Sequence, residues 1–254
     1  MKIHQLRNAT CILHLGEHKL LVDPMLGEVG SFGGFKFFGG GRKPNPLVPL
    51  PDSAHEALNE VTGCIITHCQ RDHLDHLDKA GIAFLKERDV PVWAVADDFG
   101  YLRKKGLAPK EFVDGSLGMR VHPVKARHGH GVKGWLLGPG HGWFMAHADE
   151  PSVFVTGDTV LVDSVRSAVA EDKPDVIIAP AGSANFGFGR DILFPQEEIV
   201  ELAKMAPGTA VFNHLEALDH CPVTREELRE RLEEAGVGEK CLVPEDGEIV
   251  EIER

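Results

Sequence analysis

Four strand-like runs in this 254-residue chain end on a histidine or an aspartate: "IITH" at His68, "VKARH" at His128, "FVTGD" at Asp158 and "VFNH" at His214. Side chains just past strand ends are where a sheet scaffold presents chemistry on its loops. The recurrence points to an α/β chain whose working residues sit on the connections rather than inside the elements.

The remaining pattern fits such a scaffold. "KIHQL" (2–6), "TCILHL" (10–15) and "KLLVD" (19–23), divided by turn signals at Arg7-Asn8 and Gly16-Glu17, predict a small antiparallel meander. Residues 24–52 are rich in glycine and proline, carry Phe32, Phe35, Phe37 and Phe38, and show no periodicity. They predict a long loop, either a surface insertion or a binding loop. Beyond "GCIITH" (63–68), helices are expected at 75–88, 97–106, 163–174, 195–208 and 224–236, the last opened by a capping box of Thr224 and Glu227. Strands are expected at 90–96, 119–126, 152–159, 175–182 and 209–214, with "GWLLG" and "GWFMA" (134–138, 142–146) as a hairpin and two short strands closing the chain. No linker divides it, so one α/β domain over 1–254, with at least two sheets or half-sheets, is expected.

A formal net charge of -12 argues against a surface built for nucleic-acid phosphates. The five cysteines are odd in number and irregularly spaced, which predicts no disulfide framework and a reducing, cytoplasmic setting. The N-terminal "MKIHQLRNATCIL" has no apolar signal-peptide core, and no apolar run approaches the ~18 residues of a membrane span.

The densest chemistry lies in "THCQRDHLDH" (67–76). His68, Gln70, Asp72 and His73 follow the offsets of the two-metal motif H-x-H-x-D-H, with glutamine at the second histidine position. A tight strand-to-helix turn there can serve two adjacent ions, His68 and the position-70 side chain facing one, Asp72 and His73 the other. His128, Asp158 and His214 are the candidates to complete both sites. Each has a plainer reading: His68 bonded to backbone, Asp72 a helix cap, Asp158 a turn residue, His128 interchangeable with His130, His214 a strand end against solvent. Imidazole and carboxylate suit zinc above all, and also manganese or iron.

Taken in order, "RNATCILHLGEHKLLVDP", "THCQRDHLD", "RHG", "TGDT" and "NHLEALDHC" resemble the metallo-β-lactamase-fold hydrolases, in particular the branch similar to ascorbate-6-phosphate lactonase. The resemblance implies an αββα sandwich, metals in a groove at one edge of two sheets, and hydrolysis by a metal-activated hydroxide. It places His68, His128 and Gln70 at a first metal and Asp72, His73 and His214 at a second, bridged by Asp158. Asp23 matches an aspartate that orients a ligand or water. It also suggests self-association.

Gln70 is the departure. A neutral amide oxygen is a poorer zinc ligand than imidazole, so the first site is expected to be weaker. The expected function is hydrolysis of a small organic substrate, a lactone, ester or phosphoester, using one or two divalent ions. Asp72 would orient the nucleophile, and His220 would donate a proton near the leaving group. Arg42, Lys43, Arg127 and Arg190 could supply cations for a phosphate. Two rivals stand beside this: a nucleic-acid phosphodiesterase of the same fold, and a silent metal-binding domain motivated by Gln70.

Overall fold

The computed structural model describes residues 1–70, 73–131 and 138–253. Strands β1 (Lys2–Arg7), β2 (Thr10–Leu15) and β3 (His18–Val22) form the expected meander, with Asn8 and Gly16 supplying the left-handed backbone its turns need. Three short strands continue this sheet in parallel, β4 (Gly63–Ile65), β5 (Val92–Ala94) and β6 (Pro109–Glu111). A second sheet starts with the antiparallel pair β7 (Arg120–Arg127) and β8 (Pro139–Ala146). It runs on through β9 (Val153–Val155), β10 (Val176–Pro180), β11 (Thr209–Asn213) and β12 (Cys241–Leu242), the last four mutually parallel. The final strand, β13 (Ile249–Glu251), returns to pair with β1. Among the described residues the sheet orders are β13-β1-β2-β3-β4-β5-β6 and β12-β11-β10-β9-β8-β7.

Helices cover both outer faces. On the first sheet lie α1 (Ala54–Asn59), α2 (Lys79–Glu87) and α3 (Phe99–Lys104); on the second lie α4 (Asp163–Asp172), α5 (Gln196–Met205) and α6 (Arg225–Glu234). The period-2 alternation of strand side chains sorts the core into layers. In β8 and β9, Trp143, Met145, Val153 and Val155 face the first sheet, while Phe144 and Phe154 face the helices. Ile177 and Ile178 divide in the same way. This is the αββα sandwich the resemblance implied.

Several boundaries differ from expectation for local reasons. The helix expected from residue 75 starts at Lys79, because Asp78 caps it by accepting from Gly81 N, and this frees residues 73–77 to turn. The second arm of the expected 134–146 hairpin pairs with β7, and residues 132–137 lie outside the described residues. Residues 24–52 contain no helix or strand, only one bridge between Phe32 and Asn45. The capping box of Thr224 and Glu227 is present. All five cysteines are free. No helix among the described residues is long and apolar enough to cross a membrane.

Candidate metal centre

The loops after β3, β4, β7, β9 and β11 meet at one edge of the sandwich. Asp23 directly follows β3, His128 follows β7 and His214 follows β11; His68 and Asp158 each stand three residues past β4 and β9. Asp158 is the hub. Its Oδ2 lies 3.1 Å from His76 Nε2, 3.6 Å from both His128 Nε2 and His214 Nε2, and 4.0 Å from His68 Nε2. Asp75 Oδ2 lies 3.7 Å from the Nε2 atoms of His76 and His214.

Among the described residues three overlapping groups have ligand atoms close enough to hold an ion: His68, His73 and His128; Asp75, His76, His214 and Asp158; and Asp23, His68 and His76, in which Asp23 already binds His76 Nδ1. The Nε2 atoms of His68, His76, His128 and His214 are buried and make no hydrogen bond. Buried polar atoms are nearly always satisfied, so four converging orphan lone pairs fit divalent cations.

The opposite ring nitrogens show why those lone pairs point inward. His76 Nδ1 donates to Asp23 Oδ2 at 2.8 Å. His68 Nδ1 donates to Thr67 Oγ1 at 3.0 Å, and that hydroxyl donates to Asp23 Oδ2 at 2.5 Å. His73 Nδ1 donates to the Gln70 carbonyl. His214 Nδ1 faces Cys221 Sγ at 3.5 Å, a thiol that burial keeps protonated. Ligand histidines elsewhere are oriented and tuned by such outer partners. Asn8 ties the two halves together, its carbonyl accepting from His214 N at 3.1 Å and its amide donating to Asp75 O at 3.1 Å.

The protein's own field centres on Asp158. Burial disfavours charge on His76 and His214, but Asp158 and its neighbouring acids outweigh it and hold both well above the usual histidine range. The same contacts hold Asp158 and Asp75 below the usual carboxylate range against burial. His68 goes the other way, pushed well down by burial and then by three neighbouring imidazoles.

This geometry groups the candidate residues differently from the ligand register read from the sequence. Gln70 turns its amide nitrogen to Asp97 O at 2.9 Å and Asp98 Oδ1 at 2.7 Å, and His73 fills the third place beside His68 and His128. His73 thus belongs with the first group, not the second. Asp72 lies outside the described residues. Asp75 and His76 fall in the group with Asp158 and His214, so the clustered residues of this segment are His68 and then "HLDH" at 73–76. The signal was present in the sequence: "H-x-D-H" recurs three residues downstream, at 73–76. Gln70→Ala should leave bound metal per chain unchanged, whereas His73→Ala should take it from about two equivalents to about one, read by elemental analysis. Equal losses in the two variants would restore Gln70 as a ligand.

His220, expected as the proton donor, is buried beside this centre. Its ring packs edge-on to Phe35 at 5.0 Å and parallel to Phe186 at 6.4 Å. Burial pushes its pKa down to about 4, and its Nδ1 has no hydrogen-bond partner. Around it, Met25, Leu193, Leu218 and Cys221 form an apolar cluster joined by Phe32, Phe35 and Phe186.

Comparison with known proteins agrees with this site. The family model of the β-lactamase superfamily domain matches residues 18–215. The chain is 31% identical to the UPF0173 protein YddR of Bacillus subtilis (strain 168), over 98% of each chain. It superposes on an isothiocyanate hydrolase from Delia radicum gut bacteria with a TM-score of 0.86 and 31% identity, covering 99% of each chain. For a metal-dependent hydrolase of Veillonella parvula DSM 2008, so described as a possible function, the values are 0.88, 26% and 98%.

Proposed function

We propose, for a chain that belongs to the β-lactamase superfamily of metallo-β-lactamase-fold, metal-dependent hydrolases, that it hydrolyses a small, uncharged, largely apolar electrophile at a two-ion centre. The observation that carries this reading is the ring of four unpartnered Nε2 atoms around Asp158. His68, His73 and His128 would hold one ion and Asp75, His76 and His214 the other, with Asp158 between them. When bound, such ions supply Lewis acidity that brings the pKa of water toward neutrality and polarises the electrophile.

The chain's own residues do the rest. Asp23 and Thr67 fix the tautomers of His76 and His68. Asp75 would take the part expected of Asp72, accepting a hydrogen bond from the attacking water and orienting it. His220 is neutral near pH 7 with its low pKa, so it offers one N–H as a hydrogen-bond donor to the atom that gains negative charge, rather than acting as an imidazolium acid. The aromatic cluster around it excludes water and receives the apolar part of the substrate.

The choice of a neutral substrate rests on charge. Asp23, Asp75 and Asp158 are buried at the centre. Of the four cations expected to suit a phosphate, Arg42 is stacked over Phe37 and bonded to Gly34 O, and Arg127 is bonded to Gly129 O. Esters and lactones with apolar groups fit. So does an isothiocyanate, given the similar hydrolase, since its electrophilic carbon is uncharged. A phosphorylated lactone, the narrower resemblance, would draw on the other two, Lys43 and Arg190. His73 beside His68 and His128 supports an active centre over the silent domain that Gln70 motivated.

Protein purified without chelator should carry about two divalent ions per chain. It should turn over aryl esters, lactones or benzyl isothiocyanate with kcat/KM at least about tenfold above that for bis(p-nitrophenyl) phosphate. Preference for the phosphodiester would transfer the site to the nuclease reading. An absence of metal after incubation with zinc, manganese and iron(II) would remove the hydrolase reading altogether.

A further inference from the structure

The carboxylate of Asp219 fastens the aromatic loop. Its Oδ1 accepts from Phe35 N at 2.8 Å and Asn45 Nδ2 at 3.1 Å, and its Oδ2 from Lys43 N at 3.1 Å and Lys36 N at 3.3 Å. Asn45, fully buried, returns the contact by accepting from Asp219 N at 2.9 Å. The approach is so close that a Cβ on Gly34 would stand 2.4 Å from Asp219 Oδ2 and 2.3 Å from Lys43 O.

Asp219 immediately precedes His220 in the chain, and Phe35, whose amide it holds, packs on the His220 ring. A second fastening lies farther out, where Phe37 N and Phe38 N both donate to Phe186 O at 3.1 Å. There Gly187, at φ +86°, lies so near Phe38 O that a Cβ would reach 1.9 Å. The loop is therefore joined on two sides to segments that wall the His220 cluster, and one carboxylate gathers its two arms. These hydrogen bonds hold Asp219 below the usual carboxylate range although partial burial opposes this, so it remains an acceptor at neutral pH.

We infer that Asp219 is a positioning residue: it latches the two arms of the 33–45 loop, seats Phe35 against His220, and so sets the preference for substrates bearing an aryl or bulky apolar group. The preference half rests on the hydrolase reading above; the latch half does not. A purely structural role would lower stability and reduce activity on all substrates alike. A latch that places one ring acts instead through KM, and only for substrates that use the ring.

The test uses Asp219→Asn in the full-length, metal-loaded protein. Asparagine keeps the shape but turns an NH2 group toward two of the four donors. Hydrogen exchange at the Phe35, Lys36 and Lys43 amides should speed up by about tenfold or more, the size of one lost charge-assisted hydrogen bond. The ratio of kcat/KM for phenyl acetate to that for methyl acetate should fall about tenfold, mostly through KM, with metal content unchanged. Phe35→Ala removes the ring and keeps the hydrogen bonds, so it should lower the same ratio while Lys43 stays protected; it serves alone if the Asp219 variant does not fold. Unchanged amide exchange in Asp219→Asn overturns the latch. An unchanged substrate ratio in Phe35→Ala overturns the specificity role. If the wild-type protein hydrolyses neither these esters nor the lactones and benzyl isothiocyanate named above, the hydrolase reading fails, and the exchange measurement still decides the latch.

Discussion

Asp158→Asn should lose at least one of the two metal equivalents and at least about 100-fold in turnover. Removing a partner one shell out from a metal ligand already costs 10- to 100-fold in affinity or activity, so a central carboxylate should cost more. Asparagine keeps the volume but removes the only charge within 4.0 Å of four separate imidazole Nε2 atoms among the described residues. The neutral amide is then a weak ligand for either ion. Elemental analysis and turnover on the best substrate check both parts. A variant that keeps both metals and more than about a tenth of its activity would show that Asp158 is not the hub.

His220 should make the protein acid-labile in a way that one substitution removes. The buried ring holds a pKa of about 4, against about 6.5 for an exposed histidine. Below pH 6.5 the unfolded chain takes up a proton at this position that the folded protein refuses until about pH 4. The neutral ring's contribution is therefore complete above pH 6.5 and is lost as the pH falls toward 4, amounting to roughly 3 kcal/mol. His220→Gln cannot titrate. Denaturant unfolding of both proteins in chelator, where metal release plays no part, should show the wild type losing roughly 3 kcal/mol more than the variant between pH 7 and pH 4. Parallel pH profiles would mean that the ring reaches water.

Much of the scaffold was legible because its signals are local. The meander announced itself by alternation and by Asn8 and Gly16 in its turns, and α6 by its capping box. The four strand-end residues His68, His128, Asp158 and His214 were legible for the same reason, since each ends an apolar run. What was not legible was the grouping inside 67–76. "HCQRDH" and "HLDH" both match pieces of one motif. The choice between them depends on whether a longer turn still lets His68 converge with His73, which is a tertiary fact. Asp78, a cap that delays the helix, made room for that longer turn. Asn8 and Asp219 were invisible as functional residues, because an asparagine in a turn and an aspartate in a loop have no distinguishing pattern until their partners, 67 and more than 170 residues away, are in place.

The ligand loops divide between the two sheets: His68, His73, Asp75 and His76 follow β4, while His128, Asp158 and His214 hang from β7, β9 and β11. The sheets are cross-braced just beneath, where Trp143 of β8 donates through Nε1 to Ile66 O at 3.0 Å. The centre therefore works as a caliper whose two jaws are separate layers of the sandwich. Any slide of one sheet over the other changes the gap between the jaws before it exposes core to water. Metal retention would then report changes of packing in the layer beneath the site, at positions such as Trp143, Val155 or Ile178, more sensitively than a melting temperature does.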